Sequence, residues 1–215
     1  MRVLITGFDK FGGESINPSS LCVNSLPDNI DDIEIKKITL PTVFKDSSRV
    51  LEENIASFSP NIVICVGQAG GRSKITPERI AINIDDARIP DNIGNSPIDE
   101  TIRKDGENAY FSTLPIKAIV NELNKNNIPS AISNTAGTFV CNHIMYEILY
   151  LSKTKFNNIS AGFIHIPYIR EQVKNKPDTP FMELEMIIDA LKIIIETSAE
   201  FYQRNDIKIT GGYEH

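Results

Sequence analysis

Asn61-Ile62-Val63-Ile64-Cys65-Val66-Gly67 is an unbroken apolar run, rich in β-branched residues, that closes on glycine. It shows no polar alternation, so both faces of the strand it predicts must be buried, as at the centre of a parallel sheet. Pro60 stops the segment before it, where Val43, Val50, Leu51, Ile55 and Phe58 recur at helical spacing over 43–58. Further upstream, Val3 to Ile5 reads as a buried strand ending at Gly7, and Ile33 to Leu40 as a second strand bounded by Pro41.

The same alternation continues downstream. Ala81 to Ile84 and Ser130 to Ser133 read as short strands, and Ile159 to Ile166 as a longer one. Helical spacing covers 115–126, opened by Pro115, then 138–154, and then 180–202 with Leu184, Ile187, Leu191, Ile194 and Ile195 on one side. Asp85 to Glu107 holds Pro90, Gly94 and Pro97 and has no period; so long an excursion is usually functional. Strands alternating with helices predict an α/β fold. The expected form is one domain over residues 1–215, a three-layer α/β/α sandwich on a mostly parallel, mixed sheet. Ligands then bind where strands end, in the loops after Ile5, Val66, Ser133 and Ile164.

Composition narrows the function classes. The chain has 215 residues, 41% of them hydrophobic and 23% charged, as an ordinary globular protein does. A net charge of -6 with no Lys/Arg cluster argues against nucleic acid as a partner. No apolar run approaches a membrane span, and Met1 to Gly7 reads as a strand rather than a signal peptide. Three cysteines without a C-x-x-C pair make no disulfide framework, so a cytoplasmic protein with reduced thiols is expected. Sparse His and Cys without paired spacing give no metal site, and no cofactor is called for.

Cys141 is the residue with chemistry to offer. It follows Thr135-Ala136-Gly137-Thr138-Phe139-Val140 and stands where a short strand gives way to a helix. Helix-start N–H groups favour a thiolate, so a lowered thiol pKa is expected. Cys65 and Cys22 lie in apolar runs and read as buried, silent thiols. Of the three histidines, His215 is terminal and expected to be disordered. His143 is two helical residues from Cys141, about 200° around the axis, and cannot face it. His165, near the end of Gly162-Phe163-Ile164-His165-Ile166-Pro167, remains as the base. A histidine base needs an orienting acceptor, but among 28 Asp and Glu residues spacing selects none. The turn Gly67-Gln68-Ala69-Gly70-Gly71-Arg72 matches neither phosphate-loop pattern.

Taken together, Thr6-Gly7-Phe8-Asp9, Phe11-Gly12-Gly13, Gly67 to Arg72, Ile75-Thr76-Pro77-Glu78-Arg79, Asp86-Ala87-Arg88-Ile89-Pro90, Thr135 to His143 and Phe163 to Tyr168 resemble the type I pyroglutamyl peptidases (pyrrolidone-carboxylate peptidases). These are cytosolic cysteine peptidases, and the similarity spans nearly the whole chain. Lys10 stands where the family commonly has proline. The resemblance implies catalytic roles for Cys141, His165 and Glu78, the last supplying the missing carboxylate. It also implies a pocket of Phe8, Phe11 and Phe139 with Gln68, and a supporting Arg88. The implied substrates are peptides with an N-terminal pyroglutamyl residue, and the implied assembly is a homo-oligomer, often a tetramer. A phosphorylase-like transferase, which would need phosphate-binding groups in the glycine turn, and a binding module with a structural Cys141 are the alternatives.

Overall fold

A computed structural model describes residues 1–212. Strands β1 (Arg2–Phe8), β3 (Ile33–Leu40), β4 (Ile62–Gln68) and β8 (Ser160–Ile166) run parallel at its centre. The two-residue strands β2 (Asn29–Ile30) and β5 (Thr76–Pro77) pair antiparallel at the edges, giving the order β2-β3-β1-β4-β8-β5. Ile62 through Val66 are all 0% exposed, as the unalternating run requires. Ile62, Ile64 and Val66 pack under α1 (Pro18–Asn24), α3 (Ile116–Lys125) and α6 (Leu184–Glu200). Val63 and Cys65 face α2 (Phe44–Phe58) and α4 (Val140–Thr154) on the other side. Each fully buried Ile or Leu in these two layers contributes about 2 kcal/mol of transfer free energy.

Smaller elements complete the rim. Strands β6 (Ile80–Ile82) and β7 (Ala109–Phe111) pair antiparallel, and β9 (Tyr168–Ile169) pairs with β10 (Phe181–Met182) around the short helix α5 (Arg170–Val173). Helix α1 escaped the sequence reading, although Asn17-Pro18 carries a start signal. The Asn17 side chain accepts from the Ser19 N–H at 3.0 Å, and Pro18 occupies the first helical turn. Helix α1 lies so close to β1 that a Cβ on Gly7 would stand 2.6 Å from the backbone of Ser19 and Ser20. The last helix opens at Leu184 rather than Pro180, because Phe181 and Met182 extend to pair with β9.

The strand expected over Ser130 to Ser133 becomes two isolated parallel bridges, Ile75 with Ser130 and Glu78 with Ser133. Proline explains the gap. The Ala131 N–H donates to the Ile75 carbonyl, and the Ser133 N–H to the Pro77 carbonyl, but Pro77 has no N–H to return the bond to Ala131. Residues 85–107 hold no helix or strand, as read. Asp91 organises that excursion by accepting from the N–H groups of Phe44, Ile93 and Asn95. Burial raises its pKa, yet the Asn95 amide and these backbone donors outweigh that and hold the carboxyl below its ordinary range.

Candidate active site

The parallel register of β4 and β8 sets the site. Gly67 and His165 are partners across the two strands, so the Cβ direction at Gly67 and the imidazole share one face of the sheet. Helix α4 brings Cys141 onto that face. A Cβ on Gly67 would lie 3.0 Å from Cys141 Sγ and 2.6 Å from Phe163 Cζ. Glycine therefore leaves the room that the sulfur occupies beside the histidine's strand. Cys141 is the second residue of α4 and half-buried. Phe139, the residue before the helix, caps it with no side-chain hydrogen bond, so the first-turn N–H groups stay open beside the sulfur.

His165 is oriented from behind. Its Nδ1 lies 2.7 Å from Glu78 Oε1, and Thr76, two residues before Glu78, is its register partner in β5. Glu78 is 0% exposed, and its own N–H donates to the Phe163 carbonyl. In a neutral imidazole, Nδ1 facing a carboxylate carries the proton, which leaves Nε2 as the lone-pair nitrogen. Burial alone would raise the Glu78 pKa, but the hydrogen bond and charge of His165, the Ser133 hydroxyl and the Arg72 charge outweigh it, and the net shift is downward. The Phe163 and His165 rings are 4.8 Å apart, so the imidazole is walled on its apolar side.

The thiol behaves otherwise than the helix-start argument predicted. Burial, and then the facing Glu78 carboxylate, push the Cys141 pKa up to about 12, against a smaller lowering by Arg72. The partial charge of one helix turn does not offset the loss of water around the sulfur. Cys141 therefore rests as a thiol and needs a base to become a nucleophile. Cys65 is pushed up to about 12 by burial and Cys22 likewise, in accord with their reading as core residues.

Four of the five expected pocket residues lie near this centre. Phe8 is buried with its ring 6.2 Å from Phe163. Phe11 and Phe139 are half-buried with ring centroids 6.2 Å apart, and Phe44 stands edge-on to Phe139 at 5.3 Å. Gln68 Oε1 accepts from Gln172 Nε2 at 2.7 Å, at the end of β4. Arg88 is exposed on the 85–107 excursion and makes no hydrogen bond or ion pair among the described residues. That excursion is tied to the loop leading into Cys141 where the Asp86 N–H donates to the Thr138 carbonyl at 2.9 Å.

His143 is placed elsewhere, as helix geometry requires. Its Nδ1 lies 2.8 Å from Asp85 Oδ2 and its Nε2 3.1 Å from Ser48 Oγ, joining α4 to the excursion and to α2. His215 lies outside the described residues. Two residues of the cluster were not singled out from sequence. Gln172 has no motif of its own. Arg72 stood in the glycine turn, where it could only be weighed as a phosphate ligand; its guanidinium instead binds Glu78 Oε1 at 2.7 Å and Thr76 Oγ1 at 2.6 Å. Among the described residues no group of three His, Cys, Asp or Glu is arranged to hold a metal ion, and no helix is long and apolar enough to cross a membrane.

Fold and cluster together define an α/β protein with a half-buried thiol set beside a carboxylate-backed histidine at the ends of parallel strands. A sequence profile described as pyroglutamyl peptidase matches residues 1–201. A pyrrolidone-carboxylate peptidase of Brachyspira hyodysenteriae is 63% identical over 198 residues, covering 92% of this chain and 98% of the relative. One from Clostridium perfringens is 57% identical over 212 residues, covering 99% of each. The crystal structure of pyroglutamyl peptidase I from Bacillus amyloliquefaciens superposes with a TM-score of 0.94 at 48% identity, over 97% of this chain and 99% of that one. The chain belongs to the pyroglutamyl peptidase family and is an enzyme of the pyroglutamyl-peptidase I class.

Proposed function

We propose that residues 1–215 act as one catalytic unit that removes an N-terminal pyroglutamyl residue from peptides, with Cys141 as nucleophile, His165 as base and acid, and Glu78 as orienting carboxylate. The observation that carries this reading is the His165–Glu78 bond of 2.7 Å on the strand register that also faces the Cys141 sulfur. His165 Nε2 takes the thiol proton as Sγ bonds to the exocyclic carbonyl carbon, and the carbonyl electron pair moves onto oxygen. N–H groups at the open start of α4 stabilise that oxyanion, each by about 3 kcal/mol in comparable sites. Collapse breaks the C–N bond while His165 returns its proton to the departing amine. Water, deprotonated by His165, then hydrolyses the thioester. Because the thiol rests protonated, proton transfer to His165 belongs to the attack itself.

Substrate choice follows from the aromatic lining. A pyroglutamyl ring is a neutral lactam that Phe8, Phe11 and Phe139 can enclose, whereas a free N-terminal ammonium would lose its hydration without a counter-charge. Gln68 offers polar groups to the lactam edge, and Arg88 serves the substrate from the excursion. A homo-oligomer, a tetramer by resemblance, and a cytoplasmic location complete the proposal; exposed Ile93 and Ile98, 66% and 74% accessible, offer apolar surface to another subunit. Hydrolysis of a pyroglutamyl-coumarin amide beside the prolyl and alanyl amides tests the assignment, with turnover expected only of the first. Glu78→Gln should lower kcat far more than it changes KM. A pure KM effect would remove Glu78 from the catalytic set.

A further inference from the structure

Glu78 is the most enclosed charge in the molecule's reactive cluster, and its compensation has an uneven character. The groups that face it are His165 from β8, Ser133 from the bridged segment, Cys141 from α4, and Arg72 from the glycine turn, whose Nη1 also reaches Thr76 Oγ1 in β5. Of these only Arg72 carries a permanent positive charge. Acting as the base, His165 starts each cycle neutral and is charged only after it takes the thiol proton, so its charge reaches Glu78 for part of the cycle alone, while that of Arg72 is constant. A fully buried carboxylate with a neutral neighbour would take up a proton rather than remain ionised.

Arg72 is built to prevent that. One nitrogen, Nη1, reaches both Glu78 Oε1 at 2.7 Å and Thr76 Oγ1 at 2.6 Å, while Nη2 lies 3.4 Å from the Thr135 carbonyl. Glu78 Oε1 thus accepts from His165 on one side and from Arg72 on the other, which fixes the direction from which the imidazole is held. The outer side of the guanidinium borders an open hollow of about 710 Å³ that Ser73, Lys74, Asn134 and Thr135 also line. The Arg72 side chain is a third exposed while Glu78 is not exposed at all. The guanidinium therefore keeps its hydration on one edge and delivers its charge to the buried carboxylate from the other.

We propose that Arg72 is a positioning residue for the reaction: it holds Glu78 ionised and aimed at His165 Nδ1 through the part of the cycle in which the imidazole is neutral. This rests on the triad reading above and deepens it. Two consequences separate it from a merely structural role. Without the cation, the Glu78–His165 pair binds a proton more readily, whichever of the two sites takes it, so the acid limb of the pH–rate profile moves to higher pH. Lys at position 72 keeps the charge but loses the fork, so it restores the limb while leaving part of the rate loss.

The test uses the full-length enzyme and a pyroglutamyl-coumarin amide from pH 5 to 9, with Arg72→Met, Arg72→Lys, Glu78→Gln and the Arg72→Met/Glu78→Gln double variant, each checked by circular dichroism. Arg72→Met should lower kcat about 100-fold with KM within threefold, because a Glu78 that takes up a proton no longer holds His165 in place as the base. Its acid limb should rise by about one pH unit or more. Arg72→Lys should recover at least tenfold and return the limb toward wild type. In the Glu78→Gln background, Arg72→Met should cost less than a further threefold, because its target is already neutral. Should Arg72→Met not fold, Arg72→Gln takes its place. A folded, uncharged variant with near-native kcat and an unmoved limb overturns the proposal, as do a lysine variant that matches Met or additive losses in the double variant. Full turnover by Glu78→Gln alone would instead bring down the triad reading, and this inference with it.

Discussion

Gly67→Ala offers a perturbation of one methyl group at the centre of the site. The backbone of Gly67 lies outside the left-handed region, so alanine carries no conformational strain there and the effect is purely one of space. The new Cβ would sit 2.6 Å from Phe163 Cζ, 2.9 Å from Phe163 Cε1 and 3.0 Å from Cys141 Sγ. Carbon contacts are comfortable at about 3.5–4.0 Å, so the ring must retreat by about 1 Å and the sulfur by somewhat less. Phe163 is fully buried between Phe8 and His165, so its retreat presses on rings already packed against it. Overpacking of this kind costs about 1–3 kcal/mol, which for a chain of this size lowers Tm by about 2–12 °C. A nucleophile displaced by about 1 Å loses about 100-fold in rate, near 2.7 kcal/mol of barrier. Steady-state hydrolysis of a pyroglutamyl-coumarin amide, with a thermal melt on the same sample, reads both quantities. Activity within threefold of wild type at unchanged Tm would refute the placement of the sulfur over Gly67.

His165→Ala should abolish turnover with little loss of secondary structure, whereas His143→Ala should leave the chemistry and cost about 3 kcal/mol of stability by stranding buried Asp85; equal rate losses, measured beside urea unfolding, would contradict the pairing. Alkali should destabilise the fold through Cys65. Its folded pKa is raised by burial to about 12, so its contribution is intact below the unfolded value near 8.5 and is lost as pH rises from there toward 12, on the order of 2 kcal/mol by pH 10. Urea midpoints at pH 8 and pH 10 should fall further for wild type than for Cys65→Ala, and parallel falls would count against it.

Much of the architecture was written in local pattern. The run Ile62 to Val66 has no polar residue to place on a solvent face, and only a central strand accepts that. The helices at 44–58 and 116–125 announced themselves by apolar spacing and flanking prolines. What pattern could not reach depended on contacts distant in sequence. Glu78 follows a two-residue strand and looks like a surface acid, and only the pairing of Thr76 with His165 takes it out of water. Arg72 was visible but its partner was not, so its role could not be read. The sign of the Cys141 shift failed for a related reason: a helix start is a local feature, while desolvation and the Glu78 field come from the tertiary fold.

If the Cys141 sulfur performs the attack, Cys141→Ala must lose turnover while keeping the fold. The substitution removes a single atom at a half-buried position, so the circular dichroism spectrum should match wild type. Hydrolysis of the pyroglutamyl-coumarin amide should fall by about 10⁴-fold or more, the scale on which loss of a nucleophile is felt. A folded Cys141→Ala enzyme that turns the amide over at near-native kcat would contradict the claim.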